Sequence, residues 1–412
     1  MKKNKLSELR SRVEDESRSV LDEILREGAR QMLQLAIEAE VADYIENHKE
    51  VLDESGHRLV VRNGHLPARV IQSGAGPIPL QQPRIHDRRE GEKFSSSILP
   101  PYMRRSPSIE DLIPLLYLKG VSTNAFGEAL VSILGPQAIG LSPSTISRLK
   151  EVWQEEYLEW KDRDLSGKRY VYIWADGVYF NVRLSSDRPC LLVIIGTLAN
   201  GTKELVAIHD GERESKLSWL ETLRDLKRHG LKEAPLLAVG DGALGFWSAL
   251  EEVFPATREQ RCWVHKTANI LDKMPKKIQP GAKEKIFEMY MASTKKKALE
   301  AYDEFIALYK AKYPKAVGCL VKDKEVLFSF YDFPAEHWIH IRTTNPIEST
   351  FATVRHRHRQ TKGCGSRTAT LTMVFKLARS AENNWRKINT YKLLTKVISG
   401  VRFSDGIEVQ AA

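Results

Sequence analysis

Residues 171–183 read VYIWADGVYFNVR. β-Branched and aromatic side chains fill almost every other position, the composition of a buried strand, yet a carboxylate, Asp176, stands in the middle. Residues 170–175 and 178–184 read as two strand-like runs parted only by Asp176-Gly177, and a third run follows over 190–198. Asp-Gly is a pair favoured in type I′ hairpin turns, so the carboxylate has a plain reading at a turn on the sheet edge. Asp241 changes the weighing. It directly follows the apolar run LLAVG, at the C-terminal end of a strand, where open α/β sheets place their functional groups. If the strand ending near Asp176 and the strand ending at Gly240 are neighbours, both acids reach one cation.

The text around these runs is α/β. Helical spacing covers 216–229 and 243–253, and a brief strand precedes Cys262. Hairpin strands, a crossover helix and a parallel strand predict one α/β unit with a right-handed crossover. Residues 266–313 interrupt it with a helical block holding eleven Lys against six Asp plus Glu. A long helical stretch then runs from Thr344 to about Lys387, opening on IRTTNPIEST, where Glu348 is the candidate third acid. Asn345 with Glu348 three residues on is also a capping box with Pro346 at the first helical position, which explains the glutamate without function. That reading does not explain its surroundings. No acid falls between Glu348 and Glu382, while Arg355, Arg357, Arg359, Lys362, Arg367, Lys376 and Arg379 supply seven positive charges, a pattern that suits a phosphate backbone.

Three carboxylates beside a basic approach have a chemical logic. Hard Mg²⁺ or Mn²⁺ takes oxygen ligands, and two such ions about 4 Å apart serve in-line phosphoryl transfer. Cys262-Trp263-Val264-His265 forms a second cluster. A Cys and a His three apart can begin a zinc site, but no partner pair stands at suitable spacing, so a structural role near the sheet edge is expected, with Trp263 packed or open to stack on a base.

Upstream, 6–49 is amphipathic and helical, with Leu21, Ile24, Leu25, Met32 and Leu35 in helical register. Residues 59–89 break into short strands with turns at Asn63-Gly64 and 74–77. After the linker SILPPYMRRSPS, three helices are predicted: 108–119, 123–134, and one beginning at Ser142-Pro143. Two readings fit this trio. Either it is a helix-turn-helix whose last helix presents Ser144, Thr145, Ser147, Arg148 and Lys150 to a DNA groove, or it is a small packed helical domain without ligand.

The whole chain has 412 residues, 42% of them hydrophobic, enough for several domains. A net charge of +10 and a pI near 9.2 point to an acidic polymer as partner. No run of eighteen apolar residues exists, and the N-terminal text is too polar for a signal peptide. The four cysteines, Cys190, Cys262, Cys319 and Cys364, are scattered as in a reducing interior, so a cytoplasmic location is expected.

WADGVYFNVR, then LLAVGDGALGFWSALEEVFPATREQRCWVHKTANIL, then HWIHIRTTNPIEST, in that order, resemble the mutator-type transposases of bacterial insertion sequences. The resemblance spans most of the chain, including the segment from Asn63 to Arg84 and the stretch SILPPYMRRSPSIEDLI. It implies a ribonuclease-H-like core with a DDE triad, whose aspartates fall here on Asp176 and Asp241 and whose glutamate falls on Glu348. It implies a helical insertion between the second aspartate and the glutamate. It further implies two Mg²⁺ or Mn²⁺ ions per site, double-stranded DNA carrying terminal inverted repeats as substrate, target DNA, and a homodimer or higher assembly on DNA. The family's Cys-x-x-His pattern falls on Cys262 and His265. One departure stands out: relatives continue after the glutamate with Asn and a run of arginines, whereas this chain has STFATVRHRHRQ. On this reading Asp176 is a metal ligand at the end of the first core strand and Gly177 lets the chain turn away. The expected divisions are an N-terminal helical and small-β region (1–105), a helix-turn-helix-like region (106–165), a first core part (166–262), the insertion (263–335), a last core part (336–395) and a tail (396–412) that is frayed after Val401. Rival readings are a catalytically silent repressor descended from a transposase, and a structure-specific nuclease of the same fold.

Overall fold

A computed structural model describes residues 2–109, 112, 116, 129, 143–180, 190–360 and 366–409, with backbone alone at 2–19, 143–147, 149, 353 and 356–360. The chain forms two compact units, Met1–Leu149 and Lys150–Ala412. Most of the predicted helices 108–119 and 123–134, together with Ser142, lies outside the described residues, as do the side chains of Ser144, Thr145 and Ser147.

In the first unit, helix α1 (Lys2–Asn47) precedes two antiparallel strand pairs, β1 (Val60–His65) with β4 (Pro83–Asp87) and β2 (Arg69–Ser73) with β3 (Gly76–Leu80). Ile37, Ile71, Ile78, Leu80 and Leu99 make its core, with Ala29 and Leu33 of the helix against it. The apolar positions singled out from the sequence, Leu21, Ile24, Leu25, Met32 and Leu35, fall on the opposite, exposed face. The turn within 74–77 forms as expected, at Gly74-Ala75 between β2 and β3. Asn63-Gly64 does not turn. It lies within β1, where the register slips between Arg62 and His65 and Gly64 adopts φ +66, so the glycine serves a bulge.

The second unit is built on a five-stranded mixed sheet of order β7-β6-β5-β8-β9. Strands β5 (Tyr170–Tyr179), β6 (Cys190–Leu198) and β7 (Lys203–Gly211) are antiparallel neighbours, while β8 (Leu237–Gly240) and β9 (Arg258–Arg261) run parallel to β5. The expected hairpin at Asp176-Gly177 is absent. β5 passes straight through, with Asp176 opposite Val193 and Gly177 opposite Leu192. A partner strand of matching length overrides the local turn preference, because each further residue pair adds ladder bonds and buried contacts. β7 is not among the expected strands, although Ala199-Asn200-Gly201, with φ +81 at the glycine, makes the short turn that joins it to β6.

Helix α2 (Pro143–Lys161) begins as expected and, from Lys150 onward, belongs to this unit, burying Trp153 and Tyr157. Tyr157 Oη donates to the carbonyl of Ile208 on β7 at 2.9 Å. The crossover from β7 to β8 is helix α3 (Lys216–Arg228), capped by Ser215, and α4 (Leu244–Val253) lies beside it. Trp219, Leu223 and Leu226 of α3 and Phe246, Ala249 and Leu250 of α4 close one core with Ile173, Ala175 and Ala238 of the sheet. On β5 the alternate residues Tyr172 and Trp174 bond to His337 and to the His340 carbonyl, so the strand is covered on both sides.

The lysine-rich block is helical, as α5 (Trp263–Leu271), α6 (Gln279–Met291), α7 (Lys295–Tyr309) and α8 (Pro314–Val321). The long helical stretch divides into α9 (Asn345–Gln360) and α10 (Arg367–Glu382). Glu382 closes the edge of β7 by accepting from Leu205 N at 2.9 Å, and Arg163 donates to the carbonyls of Leu205 and Val206 at 3.1 and 2.9 Å. The tail is not frayed: Phe403–Ser404 and Ile407–Glu408 pair as a small hairpin whose Asp405 accepts from Lys295 N. Among the described residues no helix is long and apolar enough to cross a membrane.

Candidate active site

Ala175 of β5 pairs with Gly240 of β8 in parallel register. The next residues are Asp176 and Asp241, so both carboxylates emerge on adjacent strands at one end of the sheet. Asp241 ends its strand and accepts from Ala243 N at 2.8 Å, while Gly242 between them takes φ +98. A side chain at Gly242 is excluded twice, by that backbone angle and by the Arg261 guanidinium, whose carbon would lie 1.9 Å from a Cβ.

Glu348 enters from the first turn of α9. The cap differs from the sequence reading by one residue: the carbonyl of Thr344 accepts from the N–H of Glu348, which makes Thr344 the cap, and Glu348 is not bonded back to Asn345. The Thr344 hydroxyl donates to Glu348 Oε1 at 3.2 Å and lies 3.4 Å from His265 Nδ1 and 3.4 Å from Cys262 Sγ. Thr344 N also donates to that sulfur, at 3.3 Å. His265 Nε2 is 3.8 Å from Glu348 Oε1. The Cys-x-x-His pair therefore stands beside the third acid, with donor atoms of Cys262, His265 and Glu348 all within 4.8 Å of one another. Trp263 is fully buried and donates to the Leu327 carbonyl at 2.9 Å, so it is packed and cannot stack on a base.

Burial pushes the Asp176 carboxyl up to about 7; Asp241 and Glu348 add to the rise and His265 opposes it. The hydrogen bond to Cys262 is the main force lifting His265 to about 9, with Asp176 and Glu348 contributing. Burial would raise the Cys262 thiol, yet the bond to His265 brings it below the ordinary value. A fourth acid, unread in the sequence, belongs here. Glu214 lies just before the α3 cap, and burial followed by Asp241 and Asp176 lifts it to about 7. Its text, GERESK, looks like an exposed lead-in to a helix, and only the close approach of its carboxyl to Gly177 reveals it. Among the described residues Asp176, Asp241 and Glu214 form no ion pair with Lys or Arg. Half-buried acids with no Lys or Arg paired to them could offer oxygens to a hard divalent cation.

The expected DNA-facing residues are divided. Arg148 is exposed and Lys150 half-buried on α2, and Arg355 is exposed on α9. The side chains of Arg357 and Arg359, and Lys362 entirely, lie outside the described residues. Arg367 grips Asp210 of β7 with two bonds, at 2.9 and 2.8 Å. Lys376 pairs with Glu156 and Arg379 with Glu382. The one-signed run in sequence is thus partly balanced in space.

The sequence model described as Transposase, Mutator family, matches residues 1–388. The chain is 54% identical over 298 residues to the transposase for insertion sequence element IS6120 of Mycolicibacterium smegmatis, covering 72% of this chain and 92% of that protein. It is 53% identical over 287 residues to the transposase for IST2 of Acidithiobacillus ferrooxidans, covering 68% and 95%. The chain belongs to the Mutator family of transposases. A more distant member, the transposase for IS256 in transposon Tn4001 of Staphylococcus aureus, is 27% identical over 346 residues, covering 83% of this chain and 85% of that one. The four acids and the Cys262–His265 pair of this Mutator-family transposase all fall within the matched residues.

Proposed function

We propose that this transposase cleaves and joins DNA strands at the terminal inverted repeats of its own insertion sequence, with Asp176, Asp241 and Glu348 as a DDE triad. The observation that carries the reading is the parallel register that sets Asp176 beside Asp241, joined by the electrostatic reach of Glu348 onto Asp176. A ribonuclease-H-like core is the matching fold proposal. In support, the first strand of the sheet lies at its centre between the second and the fourth, and the acids come from strands one and four and a late helix.

Asp176, Asp241 and Glu348 would hold the divalent ions, Mg²⁺ or Mn²⁺, which when bound supply Lewis acidity to the phosphate. His265 and Thr344 orient the Glu348 carboxyl. In the first reaction the oxygen of water bonds to phosphorus and the bond to the 3′-oxygen breaks, freeing a 3′-hydroxyl. In the second, that hydroxyl bonds to a target phosphorus and displaces the target's own 3′-oxygen. Arg148, Lys150, Arg355, Arg357, Arg359 and Lys362 would neutralise DNA phosphates, with Arg367 supporting α10 through Asp210. Two element ends held together call for at least a dimer on DNA, and activity on chromosomal DNA for a cytoplasmic, nucleoid-bound protein.

The test is Mg²⁺-dependent cleavage and joining on DNA carrying the flanking inverted repeats, wild type against Asp241→Asn. Loss of both products with DNA binding retained is expected. Equal products from the two proteins would sink the triad; cleavage without joining would turn the reading to a nuclease, and binding without cleavage by either to a repressor.

A further inference from the structure

Cys262 and His265 open the same helix: Cys262 is the cap of α5 and His265 stands in its first turn. A helix start favours the thiolate form of a cysteine, the form that binds metals. No second pair of ligands stands near them in the sequence, but the fold brings a third donor from another helix, Glu348 in the first turn of α9. Cys262 Sγ, a ring nitrogen of His265 and a carboxylate oxygen of Glu348 all lie within 4.8 Å of one another. The Thr344 hydroxyl oxygen is 3.4 Å from the sulfur, 3.4 Å from His265 Nδ1 and 3.2 Å from Glu348 Oε1. Bond lengths of about 2.0–2.3 Å around a tetrahedral zinc ion put neighbouring ligand atoms roughly 3.3–3.7 Å apart, so an oxygen already stands where a fourth corner falls.

The two helix starts are tied together through the backbone. Trp263 N donates to the Arg342 carbonyl at 3.0 Å, and Thr344 N donates to Cys262 Sγ at 3.3 Å, the kind of outer contact that steadies a metal ligand. Cys262 is wholly buried, whereas the side chains of His265 and Glu348 are 32% and 31% exposed, so an ion reaches the donors from their side.

This donor set differs in kind from the neighbouring acids, since thiolate and imidazole select borderline ions such as Zn²⁺ while Mg²⁺ takes oxygen. We propose that Cys262, His265 and Glu348 form a Zn²⁺ site with the Thr344 oxygen at its fourth corner, and that zinc held there withdraws Glu348 from the centre of Asp176 and Asp241. The site stands on the grouping of its own donors; the withdrawal rests on the DDE reading. Cys262 N donates to the carbonyl of Gly240, the residue before Asp241, at 2.8 Å, so the two centres are neighbours with Glu348 common to both. Zinc is then a brake that disables the oxygen centre without occupying it.

The experiment titrates Co²⁺, a coloured stand-in for Zn²⁺, into the full-length protein under reducing conditions. It reads the thiolate-to-cobalt absorption band and displaces Co²⁺ with Zn²⁺ to obtain the affinity, in wild type, Cys262→Ser, Glu348→Gln and Asp241→Asn. Wild type and Asp241→Asn should show the band at one equivalent, Cys262→Ser should lose it, and Glu348→Gln should bind Zn²⁺ at least about 10-fold more weakly. A band that survives in Cys262→Ser, or an unchanged Zn²⁺ affinity in Glu348→Gln, overturns the site; the second variant, at a half-exposed position, decides the matter should the first misfold. Withdrawal is read separately, as Mn²⁺ binding by calorimetry before and after one equivalent of Zn²⁺. Zinc-loaded wild type should hold Mn²⁺ at least about 10-fold more weakly. Unchanged Mn²⁺ binding that Asp241→Asn still abolishes would refute the withdrawal and leave the triad standing. Equal Mn²⁺ binding by zinc-free wild type and Asp241→Asn would overturn the triad reading and the withdrawal with it, while the cobalt band still decides the zinc site.

Discussion

The hydroxyl of Thr344 donates to Oε1 of Glu348 at 3.2 Å, one helical turn along, and Thr344 Oγ1 also lies 3.4 Å from His265 Nδ1 and from Cys262 Sγ. The third acid is therefore held in place by the Cys-x-x-His pair acting through one threonine. Thr344→Val keeps the shape and removes this link. It should lower strand cleavage roughly 10-fold or more with the fold retained, as loss of an orienting partner does around metal ligands. Cleavage at the wild-type rate in a properly folded variant would show that Glu348 needs no such support.

Gly242 separates Asp241 from the backbone bond that holds it, and at φ +98 it lies against the Arg261 guanidinium. Gly242→Ala should cost roughly 1–3 kcal/mol of stability from backbone strain, and urea unfolding reads this directly. An unchanged midpoint would mean that the turn relaxes without penalty.

His337 is wholly buried on the side of β5 that carries Tyr172, whose hydroxyl is 2.9 Å from its Nδ1. Burial pushes its imidazole down to about 4. The unfolded chain then takes up a proton near pH 6.5 that the folded chain refuses until about pH 4, so stability is present above the first value and declines towards the second. The loss is on the order of 3 kcal/mol over that window. The difference in unfolding free energy between wild type and His337→Gln should shrink as pH falls from 7 to 4, and a constant difference would refute the assignment.

Arg355 and Arg367 differ in what they already hold. Arg355 is exposed on α9, and Arg355→Ala should weaken DNA binding evenly across sequences and lower the salt slope by about 1. Arg367 is engaged with Asp210, and Arg367→Ala should leave the slope as it is while lowering stability by up to about 1 kcal/mol. Salt titrations of binding on a repeat fragment distinguish the two; equal slopes for Arg355→Ala and wild type would remove Arg355 from the interface.

How far the sequence reached depended on the range of the interaction concerned. Asp241 was readable because an apolar run and its end are local features, and the helices over 216–228 and 244–253 followed from their own periodicity. Asp176 was found, but its setting was misread, since Asp-Gly favours a turn locally and only β6, pairing along the whole of β5, makes the strand continuous. Glu348 was located while its cap was displaced by one residue, because what fixes Thr344 is Cys262, far away in the chain. Glu214 left no trace in the sequence: its partner is the space above Gly177, which exists only once strand and crossover have met. The charge run after Glu348 looked unbalanced because Asp210 and Glu156, which neutralise Arg367 and Lys376, lie on other elements.

The backbone of β7 presents no free hydrogen-bonding row at Leu205 and Val206, where Glu382 and Arg163 occupy the outward groups. A foreign strand therefore has nothing to dock on at that place. If copies gather on DNA as proposed above, this blocks one route to indiscriminate clumping through extended sheets. Partner choice is left to surfaces whose side chains can discriminate.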